Sequence, residues 1–276
     1  MSEPGGVTNP AIRAVLDDFV AAAGDGSSVD VLRWCLQGFL LLDVTGSDMP
    51  ISADGSEIEA GSTVRIATMA GPDGGSALAA FTSTAEIEKV HGDEVDGPVQ
   101  SLVQPASAVL ELALEQDHQW LCLDPGGPSC ALSRDELEFA LRVPRNDVVR
   151  QALDVVNVEP ERREVLLDAL RAEGVFVLAV DLPEGLDDDG VGGELAEDTP
   201  ALIRTTTLPD DRPALLVFTS GPEAAARAAG DSFVVWTTAE VHQALREGDF
   251  AGLVVNPAWP WAAVTNEELF GSQGGL

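Results

Sequence analysis

The sequence predicts an α+β (mixed α/β) fold: two similar domains in tandem, each a mixed β-sheet with packed helices. Three observations carry this. Segments recur in the same order along the chain, and short apolar runs alternate irregularly with amphipathic ones. The third is size: 276 residues, 45% hydrophobic and 22% charged, suffice for two ordinary domains. A duplication of this kind is compatible with a pseudo-two-fold relation between the copies, as between the subunits of a homodimer.

The recurrence is specific. Ala77-Leu78-Ala79-Ala80-Phe81-Thr82-Ser83 is matched, 137 residues on, by Ala214-Leu215-Leu216-Val217-Phe218-Thr219-Ser220. Asp124-Pro125-Gly126-Gly127-Pro128 is matched 132 residues on by Asn256-Pro257-Ala258-Trp259-Pro260. The same shift of 132 relates Leu132-Ser133-Arg134-Asp135-Glu136-Leu137 to Val264-Thr265-Asn266-Glu267-Glu268-Leu269. Each match makes local sense. An apolar strand hands over to a hydroxyl N-cap after Phe81 and after Phe218. Ser133 with Glu136, and Thr265 with Glu268, are capping boxes that open a helix near the end of each copy. Asx-Pro-x-x-Pro ends a strand, because proline cannot donate to a sheet ladder. Leu110, Ala113 and Leu114 share a helical face that Val241, Ala244 and Leu245 repeat.

Residues 1–28 read as an N-terminal helical extension with an amphipathic helix over 10–23. The first copy, 29–143, holds a helix to 37, strands over 39–44, 63–69, 77–82, 99–103 and 119–123, and a helix over 107–116. Gly71-Pro72-Asp73-Gly74-Gly75 reads as a hairpin turn. Residues 144–158 read as a linker with helical turns of its own. The second copy, 159–276, opens with a helix over 161–172. Strands follow over 175–180, 202–206, 214–219, 233–236 and 253–256, with helices over 222–229 and 239–246. Residues 187–198 read as a glycine-rich acidic loop, and 271–276 as a frayed tail.

Charge narrows the function. Asp and Glu number 47 against 15 Lys and Arg, a formal net charge of −32, and Lys89 is the sole lysine. Such a field repels phosphate backbones and anionic lipid head groups, so nucleic acid and membrane surfaces are not expected partners. A protein with a basic surface is. The N-terminal residues carry no signal-peptide pattern, and no apolar run approaches the roughly 18 residues of a membrane span. Three sparse cysteines, Cys35, Cys122 and Cys130, fit a reducing cytoplasm. A Cys122–Cys130 bridge requires that the two flank a turn.

Standard catalytic constellations do not fit. No Gly-x-Ser-x-Gly elbow is present, and neither Gly71–Gly75 nor Gly190-Val191-Gly192-Gly193 matches a phosphate or dinucleotide loop. Placing Gly190 at the turn position of a calcium loop puts Asp187 and Asp189 at ligand positions. It also puts Gly185 and Ala196 where oxygen ligands belong, and the pattern fails. His91, His118 and His242 are scattered, and Cys122 sits between Leu121 and Leu123, where burial quiets a thiol. No catalytic residue, cofactor or metal site is assigned. Asn256-Pro257-Ala258-Trp259-Pro260-Trp261 stands out, because the first copy has Gly127 and Ser129 where this segment has tryptophan. Tryptophan is enriched in binding hot spots, so Asn256, Pro257, Trp259 and Trp261 are the candidate partner-binding residues. The alternative is that both rings cover their own sheet edge.

At these residues the second copy resembles the N-terminal domain of the SseB family, named for enhanced serine sensitivity. The resemblance lies in Arg212-Pro213-Ala214-Leu215-Leu216-Val217-Phe218-Thr219-Ser220, the helix through Val241 to Leu245, and Gly252-Leu253-Val254-Val255-Asn256-Pro257. The first copy departs from it, with Asp124-Pro125 where Asn-Pro is usual. The resemblance implies a small α/β domain without an established enzymatic role. Its actinobacterial relatives are associated with type VII secretion loci, which implies a cytoplasmic accessory, adaptor or chaperone-like protein. A small-ligand or metal-ion sensor, and an enzyme with an unfamiliar site, stay open beside it.

Overall fold

Both copies start with a helix encoded in the same way. Asn9 and Asn146 are N-caps whose side chains accept from the backbone of Ile12 and Val149, each at 3.1 Å. Apolar residues then recur at 12, 15, 16 and 19, and at 149, 152, 153 and 156, the spacing of one helical face. A computed structural model describes residues 9–22, 27–47, 63–92, 98–181, 202–227 and 232–271. It divides into two compact units, Met1–Leu141 and Arg142–Leu276.

The first unit runs α1 (Pro10–Ala21), α2 (Ser28–Cys35), β1 (Phe39–Asp43), β2 (Thr68–Ala70), β3 (Ser76–Ala80), α3 (Thr84–His91), β4 (Ser101–Pro105), α4 (Ala106–Glu115), β5 (Trp120–Leu123), β6 (Cys130–Ser133) and α5 (Arg134–Arg142). The second repeats that order with a 3-10 turn and one short strand, β8 (Leu202–Ile203), added. It runs α6 (Asp147–Val158), a 3-10 turn at Pro160–Arg162, α7 (Arg163–Arg171), β7 (Val175–Asp181), β8 (Leu202–Ile203), β9 (Thr205–Thr207), β10 (Pro213–Val217), α8 (Gly221–Arg227), β11 (Ser232–Thr237), α9 (Thr238–Glu247), β12 (Gly252–Val255), β13 (Ala262–Thr265) and α10 (Asn266–Phe270).

The sheets repeat too. β2-β3-β5-β6 and β9-β10-β12-β13 are mixed four-stranded sheets whose central pairs, β3 with β5 and β10 with β12, are parallel. The antiparallel pair β1–β4 meets the end of β3 through a Leu41–Phe81 bridge, and β7–β11 meets β10 through Val177–Phe218. Leu78, Leu121 and Leu132 fill the first core, and Leu215, Leu253 and Val264 the second. Each such side chain contributes about 1.5–3 kcal/mol of burial.

Several expectations change. α1 is not a mere extension: Ile12 and Leu16 are fully buried in the first core. Residues 144–158 are not a mere linker, because α6 buries Val149, Leu153 and Val156 in the second core. Neither sheet ends at the strand before Asx-Pro. The turn reverses the chain, and β6 and β13 return antiparallel as further strands. The hydroxyl cap after Phe81 is absent, since Ser83 makes no side-chain cap and Thr82 turns instead to Asp124. Both capping boxes near the copy ends form: the hydroxyls of Ser133 and Thr265 accept from the amides of Glu136 and Glu268, whose carboxylates accept in return from the amides of Ser133 and Thr265. The hairpin turn holds through the Gly71 amide on the Gly75 carbonyl at 2.7 Å.

Cys122 lies opposite Ala131 and Cys130 opposite Leu123, so the two thiols point to opposite sheet faces and stay unbridged. Burial raises both, Cys130 to about 12. The acidic loop over 187–198 and the tail beyond Gly271 lie outside the described residues. No described helix is long and apolar enough to cross a membrane.

Candidate partner-binding surface

Both copies build a buried polar node at the carboxyl ends of their parallel strands. In the first, Asp124 accepts from the Thr82 amide at 2.8 Å and the Thr82 hydroxyl at 2.5 Å. Arg13, from α1, donates to that hydroxyl at 3.3 Å and to Glu86 at the start of α3, with Asp124 4.0 Å away. Lys89 closes on Glu86 at 2.8 Å. Burial pushes the Asp124 carboxyl above its usual range. Thr82 and Arg13 pull the other way, and the Glu86 charge adds to the rise. Burial also opposes the Glu86 charge, but hydrogen bonds from Lys89 and Arg13 outweigh it and hold that carboxyl low.

The second node uses the equivalent residues with less charge. Asn256 is fully buried, accepts from the Thr219 amide at 2.9 Å, and donates to the Thr219 hydroxyl at 2.8 Å. Arg150 stands 3.5 Å from Glu223 and pairs with Asp154. Ala226 takes the place of Lys89 under the 137-residue shift. Asn256 is therefore corrected from a contact residue to an anchor, because its whole amide is engaged beneath the loop.

Above that anchor the loop exposes its aromatics. Trp259 is 57% and Trp261 42% exposed, whereas Pro260 is buried and Pro257 half-buried. Trp261 borders a groove of about 350 Å³ whose floor includes Val156, Pro160, Pro209 and Ala262. Asn157 donates to the Trp261 carbonyl at 3.3 Å, and Arg163 donates to the Ala263 carbonyl. These two side chains occupy a carbonyl of the edge strand β13 and the carbonyl of the residue just before it. Val158, next along α6, is 79% exposed.

The first copy has no such surface on its loop. A Cβ at Gly126 would meet Val90 at 3.0 Å, and one at Gly127 would meet the Glu86 carboxylate at 2.8 Å. That loop lies flat on α3.

The histidines have separate partners. His91 meets Asp43 at 2.8 Å, His118 meets Ser76 at 2.6 Å, and His242 meets the Leu170 carbonyl at 3.0 Å. Burial lowers the His242 pKa. Among the described residues, no group of three or more His, Cys, Asp or Glu is arranged to hold a metal ion.

The SseB protein N-terminal domain model matches twice, over residues 12–138 and 149–269. The chain belongs to the SseB family. It is a tandem duplication of the SseB domain, and each match begins inside the helix, α1 or α6, that supplies the node arginine. No curated protein and no solved structure matches the chain.

Sequence reasoning missed the node, although its signal was available. Asn9, Arg13, Leu16, Asp17 and Glu86 each recur 137 residues on, as Asn146, Arg150, Leu153, Asp154 and Glu223.

Proposed function

We propose that this SseB-family protein is a non-enzymatic accessory or adaptor that binds another protein through its second copy, at Pro257, Trp259 and Trp261. One observation carries the reading. The same loop lies flat on its own helix in the first copy and presents two exposed tryptophans beside an apolar groove in the second. Rigid aromatic rings on an anchored loop give contact area at small entropic cost. The family resemblance adds a cytoplasmic setting and makes components of type VII secretion the first partners to screen.

The test is affinity capture from native lysate with the full chain, beside a Trp259→Ala/Trp261→Ala variant, read by mass spectrometry. A specific protein held by the wild type and lost by the folded variant is the expected result. Equal capture by both would sink the reading.

A further inference from the structure

We propose that the groove beside Trp261 takes a short basic segment of the partner: an apolar or proline anchor flanked by Lys or Arg. This deepens the proposed function and rests on it. The lining is largely apolar, with Val156, Pro160, Pro209 and Trp261 beside Asn157 and Arg163. Its volume, about 350 Å³, is at the small end for binding pockets and suits a peptide segment rather than a domain face.

The residues next in sequence to the lining prolines are acidic: Glu159 and Glu161 flank Pro160, and Asp210 and Asp211 follow Pro209. Arg162 offsets Glu159 at 3.5 Å, and Arg212 offsets Asp210 at 2.7 Å. Arg163, the cation lining the groove, is held by Glu268 at 3.1 Å and by the Ala263 carbonyl. Glu161 and Asp211 remain, both exposed and neither in an ion pair among the described residues. The local excess is negative, as is the whole chain at −32, so the field selects a cationic segment and speeds its encounter.

The mode of docking also follows. Strand addition along β13 would have to displace Arg163 from the Ala263 carbonyl and Asn157 from the Trp261 carbonyl just before the strand. The segment therefore binds by inserting side chains, as extended proline-rich ligands do in aromatic grooves.

The experiment is selection of a displayed random-peptide library on the full chain, run in parallel on Trp261→Ala and on a Glu161→Lys/Asp211→Lys variant. Enriched peptides should carry Lys or Arg around an apolar or proline centre. Labelled copies should bind Trp261→Ala at least about tenfold more weakly. They should lose roughly threefold or more on charge reversal at low salt, with the gap closing at high salt. Enrichment of acidic or charge-neutral peptides that still need Trp261 would overturn the basic segment and leave the protein-binding surface standing. An unchanged preference in the charge-reversed variant would also overturn it, by placing the selectivity elsewhere. Failure of any Trp261-dependent peptide to enrich would overturn it too, and the lysate capture then decides whether the surface itself survives.

Discussion

Asp124 and Asn256 stand at the same point in two copies of one domain, and both hold a left-handed backbone, with φ of 45 and 46. Around Asp124 the node is charged, with Arg13, Glu86 and Lys89 gathered at the start of α3. Around Asn256 the anchor is neutral, and Arg150 and Glu223 are sealed in, at 2% and 3% side-chain exposure. The outer loops differ to match. Gly126 and Gly127 let the first loop lie on α3, while the second lifts two tryptophans away from the anchor. A duplicated fold can thus keep one structural knot in both copies and free the loop above it in only one.

The largest effect that would test this comparison is loss of the node glutamate. Glu223→Ala should cost on the order of 3 kcal/mol, because it removes a buried counter-charge from a buried guanidinium, although the half-exposed Asp154 stays paired with it. Glu86→Ala should cost less, on the order of 1–2 kcal/mol. Arg13 and Lys89 are 33% and 48% exposed and can turn to water. Urea unfolding, with hydrogen exchange assigning the loss to each unit, measures both. Equal losses would mean that the two nodes are energetically the same.

Next are the helices that open each copy. Leu16→Ala and Leu153→Ala should each cost about 2–5 kcal/mol, since both side chains are fully buried in their cores. A neutral Leu16→Ala would return α1 to the status of an extension.

Exchanging the two anchors gives a smaller effect with a pH signature. The Asp124 carboxyl titrates above its unfolded value. Its stability contribution is therefore full below the ordinary Asp value, about 3.9, and is lost as pH rises through the raised folded value. Asp124→Asn should stabilise the first unit at neutral pH, with the gain shrinking as the solution is acidified. Glu86 has the opposite sign: held low, it stabilises above the ordinary Glu range, and that contribution is lost as pH falls through its folded value. Asn256→Asp should destabilise the second unit at neutral pH by on the order of 2 kcal/mol, because it adds a charge at a fully buried position, even with the Thr219 hydroxyl turned to donate as Thr82 does to Asp124. Melting temperatures of Asp124→Asn, Asn256→Asp and Glu86→Ala across acid to neutral pH measure these slopes. A flat profile for Asp124→Asn minus wild type would remove Asp124 as a titrating group.

The fold was largely legible because periodicity and turn chemistry are local. The capping boxes, the Gly71–Gly75 hairpin and β1, β3, β5, β7, β10, β11 and β12 follow from such patterns. β6 and β13 were not legible: each is four residues, with only alternate side chains buried, and follows directly on a proline turn. The roles of α1 and α6 were hidden because an amphipathic helix does not say which core it joins. The node was hidden because its members are scattered in sequence and meet only across the fold, Arg13 with Glu86 and Arg150 with Glu223. The tryptophan pair was legible as a difference between copies. That Asn256 lies under the pair was not, since a buried amide and an exposed one read alike in sequence.

The smallest effect on stability should come from the surface on which function is proposed. Trp259 and Trp261 are about half exposed, and the hydrogen bond that fixes the second uses its backbone carbonyl, which alanine retains. Trp259→Ala/Trp261→Ala should therefore cost less than about 1 kcal/mol, in the range of ordinary surface substitutions. Loss of contact area in a binding hot spot, by contrast, costs about 2 kcal/mol or more, at least roughly thirtyfold in affinity. The diagnostic is thus the ratio of the two effects: a thermal melt near wild type beside a lost partner. A melt that collapses with the double substitution would assign both rings to covering their own sheet edge, and the two loops would differ in packing rather than in function.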